Sequence, residues 1–320
     1  MKKNFWDSKS VLVTGAGGFK GSHVVEELSK SKANIISLIK ESDPKSYFNL
    51  NKLGDRSIVF WGDLKDRGKI EDIVSRFSID IIFHLGAQPL VQAARKNPRE
   101  TLESNIMGTI NVLEAARLYK VDRTLIVSSD KAYGLSENLP YKEDFKLQGK
   151  DVYDVSKSCV DMISQTYSIV YGLPLTIARC ANVFGPGDLN MDRIVPGTME
   201  SIIKNKPLEI RSDGKMIREY IYVKDAADAY ISLLENFDKT RGEVFNVASK
   251  NVLSVLEIVN KISSVLDKKI ETRILNNAKY EIPKQCLDGS KIKECIGFEC
   301  KTKFEEAIKE TYNWYERVLN

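Results

Sequence analysis

Short runs of apolar, β-branched residues alternate along the first half of the chain with longer segments whose apolar residues recur at helical spacing. The short runs predict strands over residues 11–14, 35–39, 58–61, 80–85, 124–128 and 175–179. Helices are predicted between them, over residues 21–30, 98–119 and 152–171. This alternation is typical of βαβ units, and it predicts an α/β fold with a Rossmann-type doubly wound parallel sheet.

The pattern changes after Asn182. Residues 184–192 are rich in Gly, Pro and Asp, and the alternation beyond them is less regular, although residues 243–247 predict one more core strand. We therefore expect a larger nucleotide-binding domain made of residues 1–182 and about 220–248. A smaller, interleaved C-terminal domain of residues 183–219 and 249–320 is expected to bind the substrate.

The first predicted strand runs directly into a glycine-rich segment, Thr14-Gly15-Ala16-Gly17-Gly18-Phe19-Lys20-Gly21. A tight strand-to-helix turn needs glycine, and a pyrophosphate can approach a backbone only where no Cβ intrudes. Gly15, Gly18 and Gly21 meet these needs, with the next helix predicted to begin at Gly21. We expect a dinucleotide site here that also includes Phe19 and Lys20.

The second strand ends in Ile39-Lys40-Glu41, without the acidic residue that commonly binds the ribose 2′-hydroxyl. NAD is the expected cofactor, but the missing acidic residue means that NADP is not excluded, with Lys40 as a candidate partner for a 2′-phosphate. Loops at the ends of later strands are expected to contact the cofactor. These candidates are Asp63 and Leu64 beside the adenine, Leu85, Ala87 and Gln88 beside the ribose, and Ser128.

Tyr153 and Lys157 lie one turn apart on the same face of a predicted helix. A tyrosine phenol has an ordinary pKa of about 10, and a nearby lysine cation favours its phenolate, which can act as a base at neutral pH. Ser129, at the end of the fifth strand, is the candidate hydroxyl that assists Tyr153. Both Tyr153 and Lys157 are also expected to contact the cofactor.

Composition narrows the function further. The 48 basic and 44 acidic residues are spread along the chain and give a net charge of +4, which argues against a nucleic-acid partner. No apolar run is long enough to span a membrane, and five scattered cysteines favour reduced thiols, so a cytoplasmic protein is expected. Cysteines and histidines lack zinc spacing, so no metal is expected, and His23 and His84 are expected to be core residues.

With these motifs the chain resembles an extended short-chain dehydrogenase/reductase over essentially its whole length, most of all the sugar-nucleotide 4,6-dehydratases. The deciding segment is Ser128-Ser129-Asp130-Lys131-Ala132-Tyr133-Gly134. Epimerases of this superfamily typically carry small or uncharged residues after the catalytic Ser or Thr, whereas dehydratases carry an acid followed by Glu or Lys.

The resemblance to CDP-glucose 4,6-dehydratases rests on three segments, which are Asp130-Lys131, Gly18-Phe19-Lys20-Gly21 and residues 87–91. A similar Asp-Lys pair occurs in inverting UDP-N-acetylglucosamine dehydratases, and residues 212–225 have the generic superfamily form.

The resemblance implies a tightly bound cofactor and a cycle in which Tyr153, helped by Lys157 and Ser129, takes the proton of the sugar 4-hydroxyl. It implies that Asp130 is the acid and Lys131 the base of the water elimination that follows. It also implies a nucleotide-sugar substrate, a homodimer formed through a four-helix bundle by the helices near 100–119 and 152–171, and four substrate contacts. These contacts are Gln88, Asn182, Arg193 and Arg218.

Two other functions fit parts of the pattern. A sugar-nucleotide 4-epimerase or decarboxylase would use the same Tyr153 and Lys157 but would need no acid/base pair at positions 130 and 131. A non-catalytic NAD(P)-binding regulator would keep the fold, but such proteins commonly lose the tyrosine or the lysine. Because both residues are present here, the sequence favours an enzyme.

Overall fold

The computed structural model describes residues 5–277 and 282–320. In chain order its strands are β1 (Ser10–Thr14), β2 (Asn34–Ile39), β3 (Ile58–Trp61), β4 (Ile81–His84), β5 (Arg123–Ser129), β6 (Leu175–Cys180), β7 (Asn182–Phe184), β8 (Leu208–Ile210), β9 (Ile217–Tyr222), β10 (Val244–Val247), β11 (Val252–Ser254) and β12 (Thr272–Ile274).

The α-helices fill the segments between these strands. They are α1 (Phe19–Leu28), α2 (Tyr47–Leu50), α3 (Arg67–Arg76), α4 (Val91–Lys96), α5 (Pro98–Leu102), α6 (Gly108–Leu118), α7 (Val152–Tyr171), α8 (Ile194–Ile203), α9 (Val223–Glu235), α10 (Phe237–Thr240), α11 (Val255–Leu266), α12 (Ser290–Ile296) and α13 (Phe304–Leu319). Short 3₁₀ turns cover Leu53–Arg56 and Asp130–Tyr133, and a π-helical turn covers Glu103–Met107.

The central sheet has seven parallel strands in the order β10-β6-β5-β4-β1-β2-β3. The predicted Rossmann-type α/β fold is confirmed, and the strand predicted over residues 243–247 is β10, which pairs with β6. The strand order reverses between β1 and β4. In open sheets of this kind, ligands bind outside the carboxyl ends of the strands at such a reversal.

Helices cover both faces of this sheet, so alternate residues of each strand enter two separate apolar layers. Val11 and Val13 of β1 pack in one layer, whereas Leu12 between them packs in the other. All three side chains are fully buried. The near-continuous apolar runs that predicted the strands therefore reflect burial on both faces.

Two predicted helices have different bounds in the structure. The first begins at Phe19, two residues before the predicted start, because Gly18 adopts an extended conformation and serves as the N-cap. The helix predicted over 98–119 is divided into α5, the π-helical turn and α6. A π turn inserts one extra residue into the helical repeat, which a search for helical periodicity does not detect.

The chain beyond β6 builds a smaller sheet and then returns to the large one. β9 pairs with β7 in parallel and with β11 in antiparallel orientation, and β8 pairs with β12. Helix α9 follows β9 directly and packs against α1. Within the described residues, no helix is both long and apolar enough to cross a membrane.

Candidate active site

The turn between β1 and α1 is shaped for close approach of a ligand to the backbone. Gly15 has φ of +68°, and a Cβ at this position would lie 2.7 Å from the Gly86 Cα. A Cβ on Gly21 would lie 2.2 Å from the Gly15 carbonyl oxygen, so only glycine lets the helix pack here. Gly18, the N-cap of α1, has no side chain to bond the first N–H groups of the helix, so these groups can bind a pyrophosphate. These residues fit a dinucleotide.

Two further cofactor loops lie against this turn. A Cβ on Gly86 would lie 2.7 Å from the Leu64 side chain, and one on Gly108 would lie 2.8 Å from it. Leu64 therefore joins the loop after β3 to the loop after β4, as expected if both border one ligand. The Gln88 side chain, however, bonds the backbone of Leu90 at both ends, with Oε1 accepting from N and Nε2 donating to O. It holds its own loop in this structure, and the predicted contact of this side chain with the substrate stays a prediction.

Lys40, the candidate partner for a 2′-phosphate, is held between two carboxylates. Its Nζ lies 3.1 Å from Asp63 Oδ2 and 3.1 Å from Glu100 Oε1. Hydrogen bonds from Lys65 and Lys40 lower the pKa of Glu100 to about 2, so this carboxylate stays charged at neutral pH. The negative charges around Lys40 oppose a second phosphate and fit NAD better than NADP.

Tyr153 and Lys157 project from the first turns of α7, as predicted, and both are buried groups with shifted pKa values. Burial raises the pKa of Tyr153 to about 12, while the Arg193 cation and the Ser129 hydroxyl act in the opposite direction. Burial and the charge of Lys20 lower the pKa of Lys157 to about 7, and its Nζ donates to the Val127 carbonyl at 3.1 Å. Arg193 is therefore the cation that favours the Tyr153 phenolate in this geometry. The Lys157 amine donates to a backbone carbonyl here, and the expectation that it favours the Tyr153 phenolate stays a prediction.

Asp130 and Lys131 occupy the 3₁₀ turn that directly follows β5. The Ser129 hydroxyl caps this turn, accepting from the Lys131 N–H at 3.3 Å and donating to Asp130 Oδ1 at 3.0 Å. Asp130 is 2% exposed, and its Oδ2 has no hydrogen-bond partner within the described chain. Ser158 of α7 donates to the Ala132 carbonyl at 2.8 Å and so fixes the turn against the helix that carries Tyr153. The turn after β5 and the first turns of α7 thus bring together a hydroxyl, a phenol, a carboxyl and two amines.

Lys20 lies close to these catalytic groups. Burial and the neighbouring Arg193 lower its pKa, whereas Cys180 and Asp130 act in the opposite direction. The side chain therefore extends from the first turn of α1 toward the catalytic groups. Ser128, another cofactor candidate, has a buried hydroxyl without a hydrogen-bond partner in the described part of the structure.

The substrate candidates lie on β7, on β9 and at the start of α8. Asn182 begins β7, directly opposite Tyr220 of β9, and its amide lies 3.4 Å from the Glu219 carbonyl. Arg218, on β9, donates to the Ile217 carbonyl at 2.8 Å. The short β7–β9 pairing thus brings the two residues predicted to bind the diphosphate onto neighbouring strands. Arg193 pairs with Asp188 at 2.9 Å.

The two histidines have structural roles, as predicted. His84 bridges Thr14 and Thr109 with hydrogen bonds of 2.8 and 2.9 Å, and burial together with Lys157 lowers its pKa to about 3. His23 is bonded to the Pro186 carbonyl at 2.8 Å. Both rings are therefore neutral and fixed in the core at neutral pH.

Three residues at the site were missed from the sequence. Asn105, in the π-helical turn, bonds both Gln88 and Ser156. Asp154 is buried next to Tyr153, and burial raises its pKa to about 6. Gln285 accepts a hydrogen bond from the Lys131 amine. Asn105 could have been noticed, because it is a polar residue within the apolar repeat of its helix. Gln285 lies in a segment without a motif.

The profile of the NAD dependent epimerase/dehydratase family matches residues 11–248. UDP-glucuronate 4-epimerase of Thermodesulfobacterium geofontis is 29% identical over 314 residues, which covers 95% of each chain. dTDP-glucose 4,6-dehydratase of Neisseria gonorrhoeae is 26% identical over 339 residues, which covers 96% of this chain and 95% of that protein.

Among solved structures, DesIV, a dTDP-glucose 4,6-dehydratase from Streptomyces venezuelae with NAD bound, superimposes with a TM-score of 0.87. It is 24% identical, and the match covers 96% of this chain and 97% of that one. This level of identity supports the fold.

Proposed function

This chain belongs to the NAD dependent epimerase/dehydratase family, and we propose that it is a sugar-nucleotide 4,6-dehydratase. The proposed reaction converts an NDP-hexose, with CDP-glucose favoured, into the NDP-4-keto-6-deoxyhexose. The observation that carries the proposal is the placement of Asp130 and Lys131 on one turn, directly after Ser129 and against the helix of Tyr153. A 4-epimerase or decarboxylase needs no such acid/base pair.

NAD is the cofactor, and when bound it accepts a hydride from the sugar and later returns it. Gly15, Gly18 and Gly21 would hold its pyrophosphate, with Asp63 and Leu64 beside the adenine and residues 85–88 beside the ribose. We propose tight binding because the hydride returns to the same sugar. The cofactor is therefore regenerated within each turnover and need not dissociate.

Tyr153 is proposed to start the cycle by taking the proton of the sugar 4-hydroxyl. The phenolate is the form of tyrosine that can take a proton, and burial disfavours it. The groups that favour the phenolate therefore decide how well Tyr153 works as a base. Arg193 supplies a positive charge, and the Ser129 hydroxyl faces the phenol oxygen. The product of this step is a 4-ketone.

The second step is the loss of water across C5 and C6. The 4-ketone makes the C5 proton acidic, and Lys131 is proposed to take it while Asp130 protonates the departing 6-hydroxyl. Asp130 suits this role because its Oδ2 is buried and has no hydrogen-bond partner among the described residues. Hydride then returns to C6 while the Lys131 ammonium gives its proton back to C5, which completes the 4-keto-6-deoxy product.

Asn182 and Arg218 are proposed to hold the diphosphate of the substrate. Arginine can bind phosphate oxygens through two parallel hydrogen bonds, which orients the sugar as well as anchoring it. CDP-glucose is favoured because residues 18–21, 87–91 and 130–131 resemble the CDP-glucose dehydratases. The segment with Arg218 has the generic form, so other nucleotides belong in the test.

We further propose that two copies of this chain pair through α6 and α7. Large apolar side chains are exposed along α7 and at the ends of both helices, although the remaining surface of these helices is polar. These side chains are Met162, Ile169, Val170 and Tyr171 of α7, with Leu118 and Tyr119 at the end of α6. Location in the cytoplasm is likewise proposed, from the sequence.

The decisive experiment is mass spectrometry of products formed from CDP-glucose, dTDP-glucose, UDP-glucose, GDP-mannose and UDP-N-acetylglucosamine, each offered with and without added NAD. Loss of one water from one donor, without net NADH, is the expected result. Isomerisation or decarboxylation without water loss would contradict the dehydratase proposal and favour the alternatives. Tyr153→Phe serves as the inactive control in every case.

A further inference from the structure

Gln285 is fixed by the backbone of a segment that runs beside β9. Its N–H donates to the Ile217 carbonyl at 3.1 Å, and the Ile217 N–H donates to the Pro283 carbonyl at 2.9 Å. Two residues further on, the Leu287 N–H donates to the Glu219 carboxylate at 2.8 Å. The segment is thus tied to the strand that carries Arg218, and the Gln285 side chain is fully buried.

The Gln285 side chain points at the amine of Lys131. Its Oε1 accepts a hydrogen bond from Lys131 Nζ, 154 residues away in sequence. Its Nε2 is buried beside the phenol of Tyr141, which is itself fixed by a bond to the Gly134 carbonyl. The Tyr141 ring stacks on Tyr133 with centroids 4.7 Å apart. The amide nitrogen thus lies beside a fixed aromatic pair but has no hydrogen-bond partner among the described residues, and the bond that ties this side chain to the site is the one to Lys131.

A neutral acceptor suits a lysine that must work as a base. The four-carbon stem of lysine is flexible, so an unrestrained amine would be attracted to nearby carboxylates. Asp130 and Asp154 are both close enough to interact with this part of the site. A carboxylate partner would favour the ammonium form, whereas an amide carbonyl fixes the position of the amine without adding negative charge.

We propose that Gln285 is a positioning residue for Lys131, holding its amine at the end of β5 so that it can take the C5 proton. This inference rests on the proposed dehydratase function. Gln285 lies beyond residue 248, where the family match ends.

The test compares Gln285→Met, which keeps the size and removes the acceptor, with Gln285→Glu, which keeps the acceptor and adds charge. CDP-glucose is the first probe, replaced by whichever donor loses water in the wild type. Stopped-flow absorbance of NADH reports C4 oxidation, and mass spectrometry reports water loss. Gln148→Met, at an exposed glutamine, is the matched control.

Gln285→Met should form NADH at the wild-type rate but lose water about 10²-fold more slowly, so that enzyme-bound NADH accumulates. Gln285→Glu should be slow at pH 7 and recover at higher pH, because its charge raises the pKa of Lys131. Adding Gln285→Met to Lys131→Met should cause no further loss, since both act on one group.

Three outcomes would overturn the proposal. Unchanged water loss in Gln285→Met would show that the amine needs no help. Equal loss of both half-reactions, with a lower melting temperature, would show a purely structural residue. An unshifted pH profile in Gln285→Glu would show that the side chain does not influence Lys131. If the wild type dehydrates no donor, the proposed function itself fails, and this is seen before any variant is made.

Discussion

The side-chain amide of Asn105 donates a hydrogen bond of 2.9 Å to the hydroxyl of Ser156. Its carbonyl oxygen accepts from the backbone N–H of Gln88 at 2.7 Å. One buried side chain thus joins the cofactor loop after β4 to the helix that carries Tyr153 and Lys157. It can do so because the π-helical turn redirects it, and such turns are frequent at functional sites.

Asn105→Ala should therefore reduce both stability and activity. The Gln88 N–H loses its 2.7 Å bond to the Asn105 oxygen, and leaving such a buried donor unsatisfied costs about 1–3 kcal/mol of unfolding free energy. The turnover rate should fall by roughly tenfold or more because α7 and the loop are no longer fixed to each other. Urea unfolding and turnover measure the two effects. Asn236→Ala, which removes a 2.8 Å bond to the Ser232 carbonyl, should lower stability alone.

Lys131→Met should separate the two halves of the reaction. The side chain does not take part in C4 oxidation, so NAD affinity and NADH formation should stay within a few-fold of the wild type. Water loss should disappear, because methionine cannot accept the C5 proton. Stopped-flow absorbance and mass spectrometry provide the measurements, with the exposed Lys146→Met as control. Full water loss in Lys131→Met would refute its assignment as the base.

Arg193→Met should move the pH dependence of C4 oxidation to higher pH. Burial raises the pKa of Tyr153 to about 12, and the Arg193 cation opposes this rise. Without that cation the pKa rises further, so a smaller fraction of phenolate exists at each pH below it, and the rate falls. NADH formation measured from pH 6 to 10 shows the shift.

Arg193→Lys keeps the positive charge and should restore most of the rate at neutral pH. Arg273→Met, at an exposed position on β12, controls for loss of an arginine elsewhere. A profile that keeps its position in Arg193→Met, with only weaker substrate binding, would show that Arg193 acts on the substrate and leaves the pKa of Tyr153 unchanged.

The features that sequence predicted well are those fixed by neighbours along the chain. α7 has the predicted bounds of residues 152–171, and the glycine turn lies where Gly15 and Gly21 place it. Strand burial on both faces produces long apolar runs, and a turn that excludes Cβ atoms requires glycine. Both signals are therefore present within a few residues.

The features that it missed depend on contacts across the fold. Gln285 reaches Lys131 only because β9 brings its segment back to the end of β5, and nothing near residue 285 records this. The Lys157 amine likewise points to Val127, a contact set by the packing of α7 on β5. Spacing on a helix predicts which face a side chain shares, but not which partner its end group finds.

Ile169→Glu should convert the proposed dimer into a monomer. Ile169 is 80% exposed, so a charge there costs little in a lone chain, and it lies two helical turns from Met162 on the same face of α7. In a paired α6–α7 bundle the same carboxylate would be buried without a partner. Light scattering after size-exclusion chromatography gives the mass. Ile274→Glu, at another exposed isoleucine, should leave the mass unchanged, and a wild-type monomer would contradict the proposal.

Glu100→Gln should raise the affinity for NADP while leaving that for NAD nearly unchanged. Glu100 accepts from both Lys40 and Lys65, and these bonds hold the two ammonium groups at the end of β2, where a 2′-phosphate would lie. Glutamine keeps the shape but removes one negative charge. The 2′-phosphate is then repelled less, and the positive charges of Lys40 and Lys65 are less offset. Exposed charges are partly screened, so we expect a several-fold effect that shrinks at high salt.

Isothermal titration with each cofactor measures this difference in affinity, with Glu103→Gln on the next turn as control. Equal changes for NAD and NADP would mean that Glu100 supports the fold of the loop and does not discriminate between the cofactors.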